Sequence, residues 1–486
     1  LKKNRSYKDK EFACLKISIF ITQNLFASMR VLFLFLLVSF LGKAQEISKK
    51  NIRQAKHFTT NAIAIFNEGQ SVNAFMMLSQ SYILDTTNHQ TLYWLAATEY
   101  ELRAYRDAKI HIQKSIDLVG PKVTTDHHFL AAQINMALNF YQDALNHLAA
   151  AKKMLKNEKD FQILGFETYQ KQCEFALTVM LDSSQNKRML LAKNLNTKYD
   201  EYGPIIHPVN GHLYFTSRNP DIKGANLNPD DQRYFEDIYE AIPNSEGGYE
   251  KSYDHYDLMN TQGFDALSYI SSNGLFALGT VNTTASVEQN TESSDIFELT
   301  TETPGIWEYK QTIKYIAGLN LSYFEGSATK TDTIWLENGD FYEEIYFVSD
   351  RQAEKFATDI YVIRNYNGVW QESVIALPQG INTEGRETTP FVSPDGQWLI
   401  FASDTHPGMG GYDLFYCHRE GDNWSVPQNL GAQINTSLDD THLQFSTKFN
   451  KVYWASVSEL DGIFSYNLFE APITSLPTLF FAPKTE

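Results

Sequence analysis

Between residues 55 and 156 the apolar positions recur at helical spacing, and the pattern itself repeats with a period near 34. NAFMMLSQSYILD (73–85) aligns with DAKIHIQKSIDLV (107–119) and DALNHLAAAKKML (143–155). Ala74, Ala108 and Ala144 fall on one position, 34 and then 36 apart, and the two extra residues fit a loop at Gly120-Pro121. Ala62, Ala96 and Ala132 mark the small position of each preceding helix. Small side chains there let antiparallel helices approach closely, with Leu78, Ile112 and Leu148 filling the seam. The spacing predicts three helical hairpins, followed by a capping helix within 160–181.

After Asp182 the helical period stops. HLYFTS (212–217), EIYFVS (344–349), WLIFAS (398–403) and KVYWAS (451–456) are short aromatic and β-branched runs bounded by turn residues, which predicts strands. A second repeat emerges from them. A strand ending in Ser leads to a loop and then Asp-Ile/Leu-aromatic: DIYEA (237–241), DIFEL (295–299), DIYVI (359–363) and DLFYC (413–417). Trp307, Trp370 and Trp424 follow in three copies. Then comes Asn with an acid five residues on: Asn260/Asp265, Asn320/Glu325, Asn382/Glu387 and Asn435/Asp440, with Asn196/Glu201 ahead of the first copy. Five such junctions imply five four-stranded units, or six if 263–345 holds a diverged copy. The last copy stops a strand short, whereas RMLLAKNL (188–195) precedes the first junction as an orphan strand. Pairing the two would close a ring and remove its exposed edges.

The helical part resembles the tetratricopeptide repeat: small residues at repeat positions 8 and 20, an aromatic at 17 (Tyr105, Tyr141) and a bulky residue at 12 (Phe66, Tyr100, Met136). The proline of position 32 is replaced by Thr86 and Gly120. The strand part resembles the WD40-like repeat of TolB-type β-propellers, most closely in SPDG (393–396), DLFY (413–416) and NWSVPQNLGAQINT (423–436). The resemblance implies an α+β multidomain chain, a helical solenoid followed by an all-β propeller. It also implies a concave helical groove, in which Tyr93, Tyr100, Phe129, Gln133 and Met136 either contact a peptide or pack on the propeller.

Composition refines this picture. Twenty-seven Tyr and 32 Phe suit a β-rich chain, and a net charge of -17 argues against a nucleic-acid partner. From Met29 the chain reads MRVLFLFLLVSFLGKAQ, with a positive start, an apolar run too short to span a membrane, and a small-x-small site. That predicts a signal peptide at 29–44 and an upstream extension at 1–28. Without residues 1–44 the chain keeps 33 basic and 56 acidic residues, a net of -23. The Ala-Gln junction resembles export signals of Bacteroidota and implies a periplasmic, outer-membrane-associated product with no transmembrane segment in the mature chain. Cys173 and Cys417, in different predicted domains, read as buried thiols rather than a disulfide.

One stretch looks catalytic: FVSPDGQWLIFASDTHPGMGGYDLFY (391–416), with Asp404, His406, Asp413 and a Gly-rich loop. Asp413 recurs once per unit, which predicts a turn cap; Asp395-Gly396 suits a hairpin; and His406, without a counterpart, reads as a solvated loop residue whose substitution changes nothing. No G-x-S-x-G, H-E-x-x-H, C-x-x-C or phosphate-loop motif occurs, and the acids of 228–237 read as a solvated loop before a Ca²⁺ site. No cofactor, metal or catalytic residue is expected. The expected layout is helical repeats at 51–182, propeller at 188–473 and a tail at 474–486. Signal, repeats and propeller in this order resemble the N-terminal part of OmpA-family and type IX secretion-associated envelope proteins, but with no OmpA-type domain and hence no expected peptidoglycan binding. A non-enzymatic scaffold for other envelope proteins is the leading expectation. A glycan- or small-ligand-binding propeller with a helical docking arm comes second, and a propeller glycosidase or lyase third.

Overall fold

The computed structural model of the chain describes residues 48–155, 157, 159–160, 165–180, 188–220, 226–228, 231–246, 248–252, 256–282, 294–352, 357–446 and 448–476. The expected signal peptide, the upstream extension and all of the tail beyond 476 lie outside the described residues. Residues 55–486 form one unit apart from 1–54, whose described part only begins the first helix.

Among the described residues seven long helices precede the strands: α1 Lys49–Asn67, α2 Ser71–Leu84, α3 His89–Glu101, α4 Tyr105–Val119, α5 Thr125–Ala137, α6 Tyr141–Met154 and α7 Phe166–Met180. They pair as three tetratricopeptide-like hairpins and a cap. All six predicted alanines are completely buried, and Leu78, Ile112 and Leu148 fill the seams. The first hairpin also buries a hydroxyl cluster that periodicity did not show. Thr59 Oγ1 lies 2.8 Å from both Ser81 Oγ and Thr91 Oγ1, and Ser81 Oγ donates to the Ala55 carbonyl. Left-handed backbone ends the first helix of each hairpin at Gly69, Arg103 and Asn139, with φ of 82°, 59° and 64°. None of the seven is long and apolar enough to cross a membrane.

The strands form five antiparallel blades, each a short meander. Blade I comprises Glu201–Ile206, Leu213–Ser217, Asp237–Pro243 and Tyr249–Ser252; blade II, Phe264–Ile270, Phe276–Asn282, Asp295–Thr300 and Tyr309–Thr312. Blade III runs from Glu325–Lys330 through Phe341–Ser349 and Asp359–Tyr366 to the short edge pieces Val369–Trp370 and Ile375–Ala376. Blade IV runs from Glu387–Val392 through Trp398–Ser403 and Asp413–Glu420 to Asn423–Trp424 and Gln428–Asn429. Blade V holds Asp440–Ser446, Lys451–Leu460, Ile463–Pro472 and, from before blade I, Met189–Leu190. The innermost strand of each blade touches the next, and that of blade V touches that of blade I, so the ring is closed. The described residues of 263–345 hold no sixth blade. The extra length there is Ile334–Trp335, which folds back onto Phe341 and Tyr342 within blade III.

The junction motif works through side chains that imitate backbone. Asn260 Oδ1 accepts from Ile238 N (2.7 Å) while its Nδ2 donates to the Ile238 carbonyl (3.0 Å), a two-way bond with the third strand of the blade before. Asn320 does the same to Ile296, Asn382 to Ile360, and Asn435 to Leu414. The acid five residues on turns back: Glu387 accepts from Thr383 N and Oγ1 (both 2.8 Å) and from Ser403 Oγ (2.7 Å). The fifth copy closes the ring. Asn196 Oδ1 accepts from Leu468 N at 2.6 Å, and Met189 and Leu190 pair with Glu470 and Phe469. The closing strand is shorter than the predicted 188–195, because Leu191 and Leu195 turn inward and are buried among Leu213, Phe215 and Leu468.

Because Asn196 serves the seam joined by distant parts of the sequence, Asn196→Ala should cost about 2 kcal/mol by leaving the buried Leu468 N–H unsatisfied. Urea unfolding reads this directly, and a variant as stable as the parent would show that the strand alone closes the ring.

Candidate functional site

The helical array sits on the propeller through its hairpin turns, the helix starts beside them and the capping helix. Arg103, held left-handed where the neighbouring hairpins place Gly69 and Asn139, extends its guanidinium to Asp200 (2.6 Å) and over the Tyr466 ring (4.8 Å). Burial pushes the Asp200 carboxyl up, but Arg103, Arg233 and the Tyr466 N–H outweigh it and hold it below the usual range. Tyr105 meets Phe464 edge-on at 5.1 Å, and Arg106 pairs with Glu459 at the surface. In the next repeat Tyr141 Oη donates to the Met409 carbonyl (3.0 Å), and the Ala137 carbonyl accepts from Ser437 Oγ (3.2 Å). The capping helix adds Gln172 Nε2 to the Asp404 carbonyl at 3.2 Å.

The stretch 391–416 therefore has a docking role. Asp413 Oδ2 accepts from Met409 N (2.7 Å) and Gly410 N (3.1 Å), as a turn cap does, and fixes the Gly-rich loop. The loop then buries Met409 among Met136, Tyr141 and Phe166 of the helices. Gly410 is required by space: a Cβ there would fall inside the Ser437 backbone. His406 is not solvated as the sequence suggested. It is half-buried, its ring lies against Phe401 and Phe415, and its Nε2 reaches the Ile381 carbonyl at 2.9 Å, bridging two blades. Burial lowers its pKa, so it acts as a neutral donor.

Between array and propeller these contacts leave a cavity of about 630 Å³. Tyr100, Gln133 and Met136 line it, together with Tyr105, Tyr169, Arg386, Asp404, Tyr412 and Asp439. Of the five groove residues expected from the repeat, Tyr93 and Phe129 lie elsewhere. Tyr93 packs on His127 and Trp94, and burial followed by Asp126 pushes its phenol up to about 12. Phe129 packs tilted against Phe166 and edge-on to Tyr169 of the capping helix. Met136 packs with Met409, whereas Gln133 donates to Tyr169 Oη at 3.0 Å. Of the five, Met136 thus packs on the propeller, while Tyr100 and Gln133 face the cavity beside it. Tyr105, Arg386, Tyr412 and Asp439 were missed, and only the arginine at a turn position normally filled by Gly or Asn could have pointed to them.

The junction acids, which a propeller glycosidase would have to use, are already engaged. Glu325 bonds Arg351, Leu321 N and Ser349; Glu387 and Asp440 hold the hydroxyls and amides of Thr383 and Thr436. Burial raises Glu387 to about 7 and Asp440 to about 6. Among the described residues no three His, Cys, Asp or Glu side chains are placed to hold a metal ion. In the acidic loop 228–237, Asp231 and Glu236 face Arg218 instead (2.7 and 3.2 Å), and 229–230 lie outside the described residues. Within the ring, the space lined by Gly203, Ser268, Ser327, Thr389 and His442 is about 10 Å³, room for about one water.

No family model matches the chain, and no curated protein matches it. Among solved structures it is similar to YrrB, described as a TPR protein with an unusual peptide-binding site. That match has 17% identity, covers 26% of this chain and 60% of that one, and has a TM-score of 0.22. It is also similar to a thermostable family-43 glycoside hydrolase (13% identity, 57% and 95% covered, TM-score 0.34) and a glycosyl hydrolase from Bacteroides ovatus (11%, 60% and 90%, 0.35). The chain thus spans less than two thirds of the first of these, and likeness at this level carries no functional argument.

Two variants test the docking and the ring. Arg103→Gly relieves the left-handed strain but removes the ion pair from the helices to Asp200, so helical signal should persist while the array becomes sensitive to limited proteolysis; unchanged resistance would mean the ion pair does not secure the dock. His442, with φ of 54° in the bore, is pushed by burial from 6.5 down to about 4. Its contribution is therefore complete above pH 6.5 and lost as pH falls towards 4. His442→Asn, which suits the same backbone, should lose less stability than the parent across that window, and equal losses in denaturation would contradict the assignment.

Proposed function

We propose that the chain is a non-catalytic protein-interaction scaffold of the cell envelope, allied to the TolB-type propeller proteins of Bacteroidota. In this reading it supports an outer-membrane assembly of the secretion or gliding type. One observation carries the interaction role: a helical array locked onto a propeller face, leaving a tyrosine-lined cavity of about 630 Å³ whose walls come from both. Acids engaged by backbone amides and hydroxyls support the non-catalytic part. The export-type segment at 29–44 is the basis for placing it in the periplasm, against the outer membrane.

Site-specific photocrosslinking tests this. A photoreactive residue at exposed Thr405 or Glu384, on the cavity wall, should give discrete adducts with envelope proteins in the source cells. The same residue at Val426, exposed on blade IV, should not. Absence of any adduct at both cavity positions would sink the scaffold reading. Glycan binding draws on the same tyrosines, and glycan-array signals abolished by Tyr412→Ala would put that reading in its place.

A further inference from the structure

We infer that the cavity between the helices and the propeller receives a Lys or Arg side chain from a basic segment of a partner polypeptide. This rests on the interaction reading above and specifies its chemistry.

Three independent features converge on a cation. The first is backbone. Helices α3 and α5 both end at the cavity, with Tyr100 and Glu101 in the last turn of one and Met136 and Ala137 in that of the other. Helix C-termini carry partial negative charge and favour a cation within their last turn. The second is side-chain charge. Glu101, Glu384, Asp404 and Asp439 line the space against Arg103 and Arg386. Both guanidiniums are already paired, with Asp200 and Asp404. The balance left over is acidic, within a chain of net charge -17, so an anionic segment would be repelled and a basic one drawn in.

The third feature is an unmet polar group. Tyr105 is 8% exposed and lines the cavity, yet its hydroxyl has no hydrogen-bond partner among the described residues. The side chain is otherwise packed, so this hydroxyl is held facing the cavity, where it is free to bond a ligand that enters. A phenol oxygen accepts well from an ammonium or guanidinium. The Tyr100 ring stands edge-on to Tyr105 at 5.6 Å, and tyrosine rings at a cavity wall offer faces that attract a cation. Glu101, exposed at the end of α3, supplies the counter-charge.

An array of short synthetic peptides of graded net charge, probed with the full chain, tests the assignment. Bound peptides should be enriched in Lys and Arg. Tyr105→Phe, which leaves the protein's charge untouched and so separates the site from general attraction to an acidic surface, should weaken the best peptide about tenfold. Glu101→Gln should do the same without moving the thermal midpoint. Equal binding of acidic and neutral peptides, or indifference to Tyr105→Phe, would overturn the inference while leaving a peptide-binding scaffold intact. Binding of glycans with no peptide bound, or of nothing at all, would overturn both.

Discussion

A side-chain amide that pairs with the backbone of the preceding blade is the constraint on which the ring depends. Each blade is a meander too small to bury both of its faces, so it is stable only when a neighbour holds it in register. The asparagine supplies that register locally. It extends the hydrogen-bond ladder of one blade with an amide from the next, and the acid five residues later locks the connecting turn through Thr and Ser. Because both members point into backbone, a pattern that looks like a ring of catalytic carboxylates is in fact a ring of joints.

The same economy of means governs how the helices meet the propeller. No broad apolar face is shared. Much of the contact is a series of turn residues, each doing something its position does not ordinarily require: an arginine in left-handed backbone, a methionine carried out on a glycine loop, a serine bonded to the end of a helix. Such contacts fix orientation without filling space, and the cavity is what remains between them. A fully apolar dock of the same area would have closed it.

Periodicity made most of the architecture legible. Alanines at fixed spacing define helical seams because only a small side chain fits there, and the Asn/acid spacing defines blades because both residues make local bonds. What escaped the sequence is what depends on contacts between the two halves. Tyr105 was read as a packing residue of its repeat, and it is one, but its hydroxyl faces a space that only the propeller creates. Arg386, Tyr412 and Asp439 belong to junction loops whose pattern says where a strand begins and nothing about what lies opposite. His406 was read as solvated because nothing nearby in sequence indicates that Ile381 and two phenylalanines surround it. The bulge that puts Ser327, Thr389 and His442 into left-handed backbone, with φ of 50°, 47° and 54°, was equally hidden, since none of these residue types advertises it.

The closing strand has a consequence for the order in which the chain can fold. Met189 pairs with Glu470, about 280 positions later, whereas other blade contacts join near neighbours. The helices, Met189–Leu190 and the first four blades can therefore form before the other three strands of blade V exist, and until Ile463–Pro472 arrives the ring is an open fan whose closing strand has no partner. Bringing such distant ends together adds little free-energy cost for each doubling of the loop, but it delays the event. In a chain emerging from its N-terminal side, the segment between helices and propeller would wait longest for its partner, making it the part a chaperone would need to shield.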